Sequence, residues 1–268
     1  MLFMGTRSAR DHTASRNHPA EDQAGPQPLR LEAKQVSVRG PHFPLLNPTS
    51  LSVESGEVVV AAGDPGHGHT ALALALGGRL VPSTGVVCLN GRPATRSKDG
   101  AGEATVRGSD IRATARLLRR TVALVDVPGV SEPDDVILLA AIVGEELSAA
   151  GSSAGRAAAT RWLAERGLDQ YAKTQIEGVP ATVRTRVLAE LAAARPGVGV
   201  VILTAPDRHG ANPRTWRELA DTLAATGLAV VATCSDASAA ILGQPVVPLG
   251  WAGTDLTADT SHTSGVNS

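Results

Sequence analysis

The stretch Glu57 to Leu80, EVVVAAGDPGHGHTALALALGGRL, decides the fold of this chain. Its three consecutive valines are typical of a buried parallel strand, and its Ala/Leu-rich second half predicts a helix. Between them the sequence follows the phosphate-binding template G-x-x-x-x-G-K-[ST], with Gly63, Gly68 and Thr70 in place. His69 stands where the lysine belongs. The stretch therefore predicts a nucleotide-binding scaffold with one charged residue replaced.

The glycines of this loop carry the prediction. Gly63, Gly66 and Gly68 permit backbone conformations closed to other residues, so successive N–H groups can converge on phosphate oxygens at a helix N-terminus. These donors belong to the backbone and do not depend on lysine. The alternative interpretation is an ordinary Gly-rich turn between a strand and a helix. The predicted nucleotide contacts are Gly63, Gly66, Gly68, His69, Thr70 and Ala71, with Thr70 also holding Mg²⁺.

Composition limits the classes of protein to which the chain can belong. Its 268 residues suffice for one large domain or two small ones, and 43% hydrophobic content is ordinary for a globular protein. The net charge of −1 gives no basic field that would favour nucleic acid. Cys88 and Cys234 predict two buried free thiols in a reducing cytoplasm. Since about 18 apolar residues never run together, we expect a cytoplasmic chain that reaches a membrane only through a partner.

The chain divides into a folded part and two tails. Residues 1 to 28 and 252 to 268 are polar and lack periodicity, so both are predicted to be disordered, and residues 29 to 251 are predicted to form the folded domain. Strands are predicted within 29–38, 50–60, 82–93, 121–128, 198–204 and 228–236. Helices are predicted after the loop, within 134–196 with a Gly/Ser break at 151–155, and over 215–227. Residues 94 to 118 show no clear pattern. Strands alternating with helices imply a parallel sheet covered on both faces.

This order of elements resembles the ATP-binding cassette, the nucleotide-binding subunit of ABC transporters, over about residues 29 to 250. The matching features are the strand, loop and helix at 57–80, the hairpin at 82–91, and the strand at 198–203 with the helix and strand that follow it. The resemblance implies an α/β fold of the P-loop NTPase type with a mainly parallel sheet core, an N-terminal β subdomain and a helical subdomain at about 129–190. It also implies ATP and Mg²⁺ as cofactors, a transmembrane permease as partner, and a dimer with itself or another cassette.

The residues that carry the chemistry of the family are altered here. Its lysine gives a charge-assisted hydrogen bond worth about 1.5–3 kcal/mol, so His69 predicts a loss of about one to two orders of magnitude in triphosphate affinity. The metal-supporting aspartate and the catalytic glutamate correspond to Thr204 and Ala205, and Asp207 is offset from both. The histidine after the last strand corresponds to Ser235. The sequence therefore offers no catalytic residue.

Other departures affect the metal, the adenine and the dimer. Asp126 corresponds to the glutamine of the family that reaches the metal, and we interpret it as an exposed turn residue in preference to a metal ligand. The signature segment corresponds to residues 176–196, where Val179 and Pro180 replace hydrogen-bond donors and put an ATP sandwich between two copies in doubt. Phe43, the sole aromatic near enough to stack on adenine, is predicted to be buried instead. His209 is predicted to be an exposed imidazole without metal-binding partners.

These observations favour an ATP-binding subunit of an ABC-type transporter that binds nucleotide through a degenerate P-loop, is impaired in hydrolysis and acts with a membrane permease. We expect it in the cytoplasm or held peripherally at the inner face of the membrane by that partner. The alternative is a nucleotide-free pseudo-ATPase that serves as a protein-interaction or regulatory module. A P-loop enzyme unrelated to transport, such as a small-molecule kinase, is disfavoured because no acidic base or arginine-rich lid is present.

Overall fold

A computed structural model describes residues 28 to 94 and 108 to 250. Both predicted tails, residues 1–28 and 252–268, lie outside these residues, apart from Pro28. Within the two described ranges, no helix is both long enough and apolar enough to cross a membrane.

An antiparallel sheet forms the N-terminal part of the structure. Its strands β1 (Arg30–Arg39), β2 (Pro44–Glu54), β4 (Thr84–Leu89) and β5 (Arg92–Pro93) lie in the order β2-β1-β4-β5. Alternate residues of β1 are buried, as expected of a strand with one face on a core, until Gln35 adds an extra residue with a positive φ of 49°. Strand β2 begins six residues earlier than the 50–60 segment that the sequence predicts.

A second sheet is entirely parallel and forms the centre of the structure. Its strands are β3 (Val58–Ala62), β6 (Val122–Val125), β7 (Val200–Leu203), β8 (Ala229–Cys234) and β9 (Val247–Pro248), in the order β6-β7-β8-β3-β9. Every residue of β6, β7 and β8 is buried, because helices or the first sheet cover both faces. The mainly parallel core and the N-terminal antiparallel sheet confirm the predicted fold class.

Seven α-helices connect the strands within the described ranges: α1 (His69–Leu76), α2 (Gly108–Thr121), α3 (Leu139–Ala149), α4 (Arg156–Ala164), α5 (Ala181–Ala193), α6 (Pro213–Ala225) and α7 (Asp236–Leu242). One hydrophobic core joins the central sheet to α3, α4, α5 and α6, around the fully buried Trp216. The other core joins the opposite face of that sheet to α1 and the antiparallel sheet. Both cores fix the carboxyl ends of β3, β6, β7 and β8, where ligands bind in such sheets.

Helix α2 lies partly in residues 94–118, a stretch in which the sequence shows no pattern. Its buried residues Thr114, Leu118 and Thr121 recur at the helical spacing, but two of the three are polar. Because threonine is a polar residue, a search for hydrophobic periodicity does not count it as a core position. The amphipathic pattern of α2 is therefore not detectable from the sequence. The Gly/Ser break does separate α3 from α4, as predicted.

Candidate nucleotide-binding site

The loop between β3 and α1 bends sharply at two glycines. Gly66 has a φ of 95° and Gly68 a φ of 102°, both in the left-handed region that side chains disfavour. The N–H of Gly63 donates to the carbonyl of Cys234 at the end of β8, and the N–H of His67 donates to the carbonyl of Asp64. These bonds hold the two ends of a compact turn directly over the start of α1.

Several N–H groups of this loop remain unpaired. In the part of the chain that the structure describes, no internal acceptor takes a hydrogen bond from the N–H of Gly66, Gly68, His69 or Thr70. The first helical bond of α1 runs from Leu72 to the carbonyl of Gly68. Residues 64 to 66 are exposed, and residues 67 to 70 are half-buried. Unpaired amides at a helix start, two of them on left-handed glycines, have the chemistry of an anion-binding nest.

Neighbouring strands require glycine at two positions of the loop. A Cβ on Gly68 would lie 2.5 Å from the carbonyl oxygen of Leu45, close to the start of β2. A Cβ on Gly63 would lie 2.7 Å from the carbonyl oxygen of Leu249, just after β9. The loop is therefore held between the two sheets, and its shape depends on both of them.

The ring of His69 is turned back into the protein. Its Nε2 lies 2.8 Å from the carbonyl oxygen of Gly63, and because a carbonyl only accepts, Nε2 carries the proton. The other ring nitrogen, Nδ1, is buried and has no partner among the described residues. The side chain of His69 therefore links the two ends of the loop by a hydrogen bond. The replacement of lysine by histidine does not by itself predict this role.

A second histidine, which the sequence analysis did not single out, shapes the same loop. Nδ1 of His67 accepts a hydrogen bond from the N–H of Asp64 at 3.1 Å. The ring lies against Gly250, where a Cβ would come within 2.5 Å of Nδ1. An imidazole inside a glycine-rich phosphate loop is the signal that could have drawn attention to this residue.

The two residues that follow β7, Thr204 and Ala205, carry no carboxylate. Thr204 is only 2% exposed and its hydroxyl has no hydrogen-bond partner within the described ranges. The N–H of Ala205 donates to the hydroxyl of Thr233 at 2.9 Å. Nothing at these two positions can support a metal or activate water.

Asp207, the nearest acidic residue, is used to hold α7. Its Oδ2 accepts hydrogen bonds from the N–H of Ser235 at 2.9 Å and from the hydroxyls of Ser235 and Ser238, both at 2.6 Å. Burial raises the pKa of Asp207, but these hydrogen bonds outweigh burial, so the pKa lies below its ordinary value. Asp207 is thus a half-buried structural acceptor, in keeping with its offset position, and Ser235 caps a helix.

Asp126 is not the exposed turn residue that the sequence predicts. Only 6% of it is exposed, and it adopts a left-handed φ of 56° at the end of β6. Arg184 from α5 donates to both of its carboxylate oxygens, at 3.0 and 2.8 Å, and Arg208 lies 3.2 Å away. The turn prediction was wrong because the partner arginine is 58 residues away and cannot be identified from local sequence.

His209 is exposed, as predicted, but it is not isolated, because it joins the same cluster. Its Nε2 lies 3.3 Å from Asp126 and 3.6 Å from Glu132. Burial lowers the pKa of His209, and the charges of Arg184 and Arg208 lower it further. One imidazole and two carboxylates have the composition of a metal site. However, two guanidinium groups already neutralise these carboxylates, so the cluster is an ion-pair network.

Two candidate regions remain, the segment around Phe43 and the start of α5. Phe43, which was expected in the core, is 81% exposed, and it lies two residues before Leu45, whose carbonyl contacts Gly68. In the signature segment, Val179 is buried, and α5 starts after Pro180 without a side-chain cap. Phe43 is therefore free to contact a ligand, whereas the residue that precedes α5, Pro180, has neither a hydroxyl nor an N–H to donate.

No protein-family model matches the sequence. Solved structures do resemble it. One is the ATP-binding subunit of an ABC transporter, 18% identical, with 82% of this chain and 85% of that chain covered at a TM-score of 0.54. Another is a dimeric bacterial ABC transporter cassette, 17% identical, with 82% and 94% covered at a TM-score of 0.56. A third is cbiO1 from Clostridium perfringens, described as part of an ABC transporter complex, 18% identical, with 77% and 78% covered at a TM-score of 0.50. The chain has the fold of an ABC transporter ATP-binding cassette.

Proposed function

We propose that this chain is the ATP-binding subunit of an ABC-type transporter and that it binds nucleotide without effective hydrolysis. The observation that carries the proposal is the loop at 63–70, where the unpaired amides of Gly66, Gly68, His69 and Thr70 surround a helix start. This arrangement lies on a cassette fold whose catalytic positions carry no carboxylate. The site thus has the backbone groups that bind phosphate but lacks the acidic side chains that hydrolysis requires.

The nucleotide contacts follow from the loop. Gly66, Gly68 and His69 offer their N–H groups to the β-phosphate, Gly63 and Ala71 flank them, and the hydroxyl of Thr70 holds Mg²⁺ if the metal is bound. The exposed ring of Phe43 lies two residues before Leu45, whose carbonyl is next to Gly68 of the loop. We propose that this ring stacks on the adenine. A base stacked on an aromatic ring contributes about 1–3 kcal/mol, so Phe43 would supply a substantial part of the affinity.

Hydrolysis is impaired because no group takes the roles of base and metal support. Thr204 is buried and Ala205 has no functional group, while the carboxylate of Asp207 accepts three hydrogen bonds inside the protein. Loss of a positioned general base alone lowers a rate by about 10²–10⁴-fold. We therefore expect binding with little or no turnover.

Titration with a fluorescent ATP analogue and a phosphate-release assay test both parts of the proposal. Saturable binding without Mg²⁺-dependent phosphate release is the expected result. His69→Lys should tighten ATP binding about tenfold or more, since it restores a charged donor. Gln170→Lys, which adds the same charge on an exposed surface away from the loop, is the matched control. Turnover at the rate of a transport ATPase would refute the loss of catalysis.

The membrane partner is the second part of the proposal. The side chain of Leu138 is 41% exposed and lines a groove of about 1000 Å³ between α3 and α4. Exposed apolar surface of this kind marks a protein interaction site. A cytoplasmic segment of a permease docking here would hold the chain peripherally at the inner face of the membrane, as a subunit of a transporter complex.

Fractionation of native cells tests this docking. We expect the chain in the membrane fraction and Leu138→Glu largely in the soluble fraction, because a charge cannot be buried in an apolar contact without cost. Ile241→Glu, at an exposed apolar position on α7, should leave the distribution unchanged. An equal distribution of wild type and Leu138→Glu would contradict docking at this groove.

We also propose that the domain spans residues 29–251, with a helical subdomain at about 129–190, and that it pairs with itself or with another cassette. One structural neighbour is a dimer. Sedimentation of the purified chain with and without ATP would show whether a self-dimer forms.

A second candidate function is a nucleotide-free interaction or regulatory module. The specific observation in its favour is that His69 bonds to Gly63 within its own loop, while Asp64 adds an exposed acidic residue to that loop. Under this alternative, the ATP analogue would not bind even at millimolar concentration, whereas the association with a membrane partner would persist.

A further inference from the structure

We propose that the solvent-exposed face of α2 binds directly to a membrane surface that contains anionic lipids. This inference goes beyond the proposed function, because it concerns neither the loop at 63–70 nor the groove beside Leu138. It follows from where the arginines of α2 lie on the helix and from the lack of carboxylates around them.

The arginines of α2 form one stripe along the helix. Four exposed positions make up this arginine stripe: Arg112, Arg116, Arg119 and Arg120. Because each residue of a helix is turned by about 100° from the one before it, the four lie within an arc of about 100°. The buried residues Thr114, Leu118 and Thr121 lie on the opposite side, against the core. The arginine stripe therefore points away from the core and can meet a flat surface.

The charge of the arginine stripe is not neutralised by the protein. In the described ranges, none of its arginines forms an ion pair with a carboxylate. Arg119 donates instead to the carbonyl of Gly78 at 3.0 Å, next to Arg79, which itself donates to the carbonyl of Gly77 at 3.0 Å. Partial burial lowers the pKa of Arg79, and the charges of Arg195 and Arg119 lower it further. A surface of negative charge would offset this repulsion.

Exposed apolar side chains beside the arginines favour a lipid partner. Leu117 is exposed next to Arg116, and Val81 is exposed three residues after Gly78, the residue that Arg119 contacts. Basic residues hold a protein on anionic lipids by charge, and adjacent apolar side chains add contact at the headgroup boundary.

Charge also disfavours a cytoplasmic segment of a membrane protein as the partner of the arginine stripe. Such segments carry an excess of lysine and arginine, so they would repel a stripe of the same sign. Anionic lipids of the cytoplasmic leaflet have the complementary charge. The arginine stripe therefore fits the lipid surface better than it fits a neighbouring permease loop.

Sedimentation of the full chain with lipid vesicles tests the proposal. We expect binding to vesicles of phosphatidylcholine and phosphatidylglycerol in equal parts and none to vesicles of phosphatidylcholine alone. Salt should release the chain, because the screening length falls from about 8 Å at 0.15 M to about 3 Å at 1 M. Absence of binding to the mixed vesicles at low salt would overturn the proposal. Since these vesicles hold neither permease nor nucleotide, that result would be distinct from a failure of the proposed function.

The double variant Arg116→Gln/Arg120→Gln tests the arginine stripe itself. Loss of two basic residues should weaken binding to the mixed vesicles about tenfold or more. Arg161→Gln/Arg214→Gln, which removes the same charge from exposed positions on α4 and α6, should bind as the wild type does. Circular dichroism would verify the fold of both variants. Equal affinities of the two folded variants would overturn the assignment to α2.

A polyglutamate peptide distinguishes lipid from an acidic protein partner. If the chain bound this peptide through Arg116 and Arg120 but did not bind the mixed vesicles, the arginine stripe would recognise acidic protein. That outcome would overturn the proposal of a membrane surface.

Discussion

At the scale of single residues, the pair of Asp126 and Arg184 is the most consequential contact outside the loop. Both side chains are almost fully buried, and two hydrogen bonds join them. Burial makes each charge depend on the other, because an unpaired charge in the interior is costly. The pair fastens α5 to the end of β6, at the position that corresponds to the metal-reaching glutamine of the family that the sequence resembles.

We expect Arg184→Met to lower the free energy of unfolding by about 3–5 kcal/mol, since the carboxylate of Asp126 loses its main partner. Urea denaturation measures this loss. Arg217→Met, which breaks the surface pair with Asp221, should cost only about 0.3–0.5 kcal/mol. Equal, small effects of the two substitutions would show that the buried pair contributes no more than an exposed one.

Asp207 predicts a pH dependence of stability. Its folded pKa lies below the unfolded value of about 3.9, so the folded state binds fewer protons between the two values. Its stabilising contribution is therefore complete above about pH 4 and is lost as the pH falls through the folded pKa.

Denaturation of wild type and Asp207→Asn across this range tests the sign. The wild type should be the more stable protein at neutral pH, and the difference should shrink below about pH 4 as the carboxylate becomes protonated. A difference that stayed constant down to pH 2 would contradict a lowered pKa for Asp207.

At the scale of elements, the phosphate loop depends on the strands that enclose it. Gly66 and Gly68 share a left-handed backbone, but a Cβ on Gly66 would meet open space, whereas one on Gly68 would clash with the carbonyl of Leu45. The same substitution at the two positions therefore separates backbone strain from steric overlap.

We expect Gly66→Ala to cost about 1 kcal/mol of stability from strain alone, and Gly68→Ala to cost more, because β2 or the loop must move. Thermal and urea denaturation would give both values, and nucleotide titration should show the larger loss of affinity for Gly68→Ala. Indistinguishable effects would mean that the contact between the loop and β2 does not shape the site.

The sequence predicts elements better than it predicts contacts between them. The strand, the loop and the helix at 57–80 are local, and glycine spacing with hydrophobic pattern is enough to place them. Helix α2 was not predicted because two threonines occupy core positions. The ion pairs of Asp126 and His209 were not predicted because their partners, Arg184 and Glu132, come from distant segments of the chain. Phe43 was misplaced for a similar reason, since nothing in its neighbourhood shows that it lies in an exposed loop.

At the scale of the whole molecule, the fold of a cassette is present, whereas the positions that correspond to the family's aspartate and glutamate carry no carboxylate. The parallel sheet still brings the ends of β3, β7 and β8 to one edge, and the second sheet still supports the loop. Acidic side chains at that edge are engaged within the protein. Asp207 accepts a hydrogen bond from Ser235 at the start of α7, and Asp126 accepts one from Arg184 of α5. The proposed function, a nucleotide-binding subunit with little or no hydrolysis, accounts for these contacts.

We propose that backbone amides between residues 63 and 70 hold the phosphates of the nucleotide. Amide chemical shifts of ¹⁵N-labelled protein during a titration with ADP test it most directly. The account predicts saturable shifts that are largest at Gly66, Gly68, His69 and Thr70 and that weaken in Gly68→Ala. Shifts confined to other parts of the chain, or none at millimolar ADP, would contradict it.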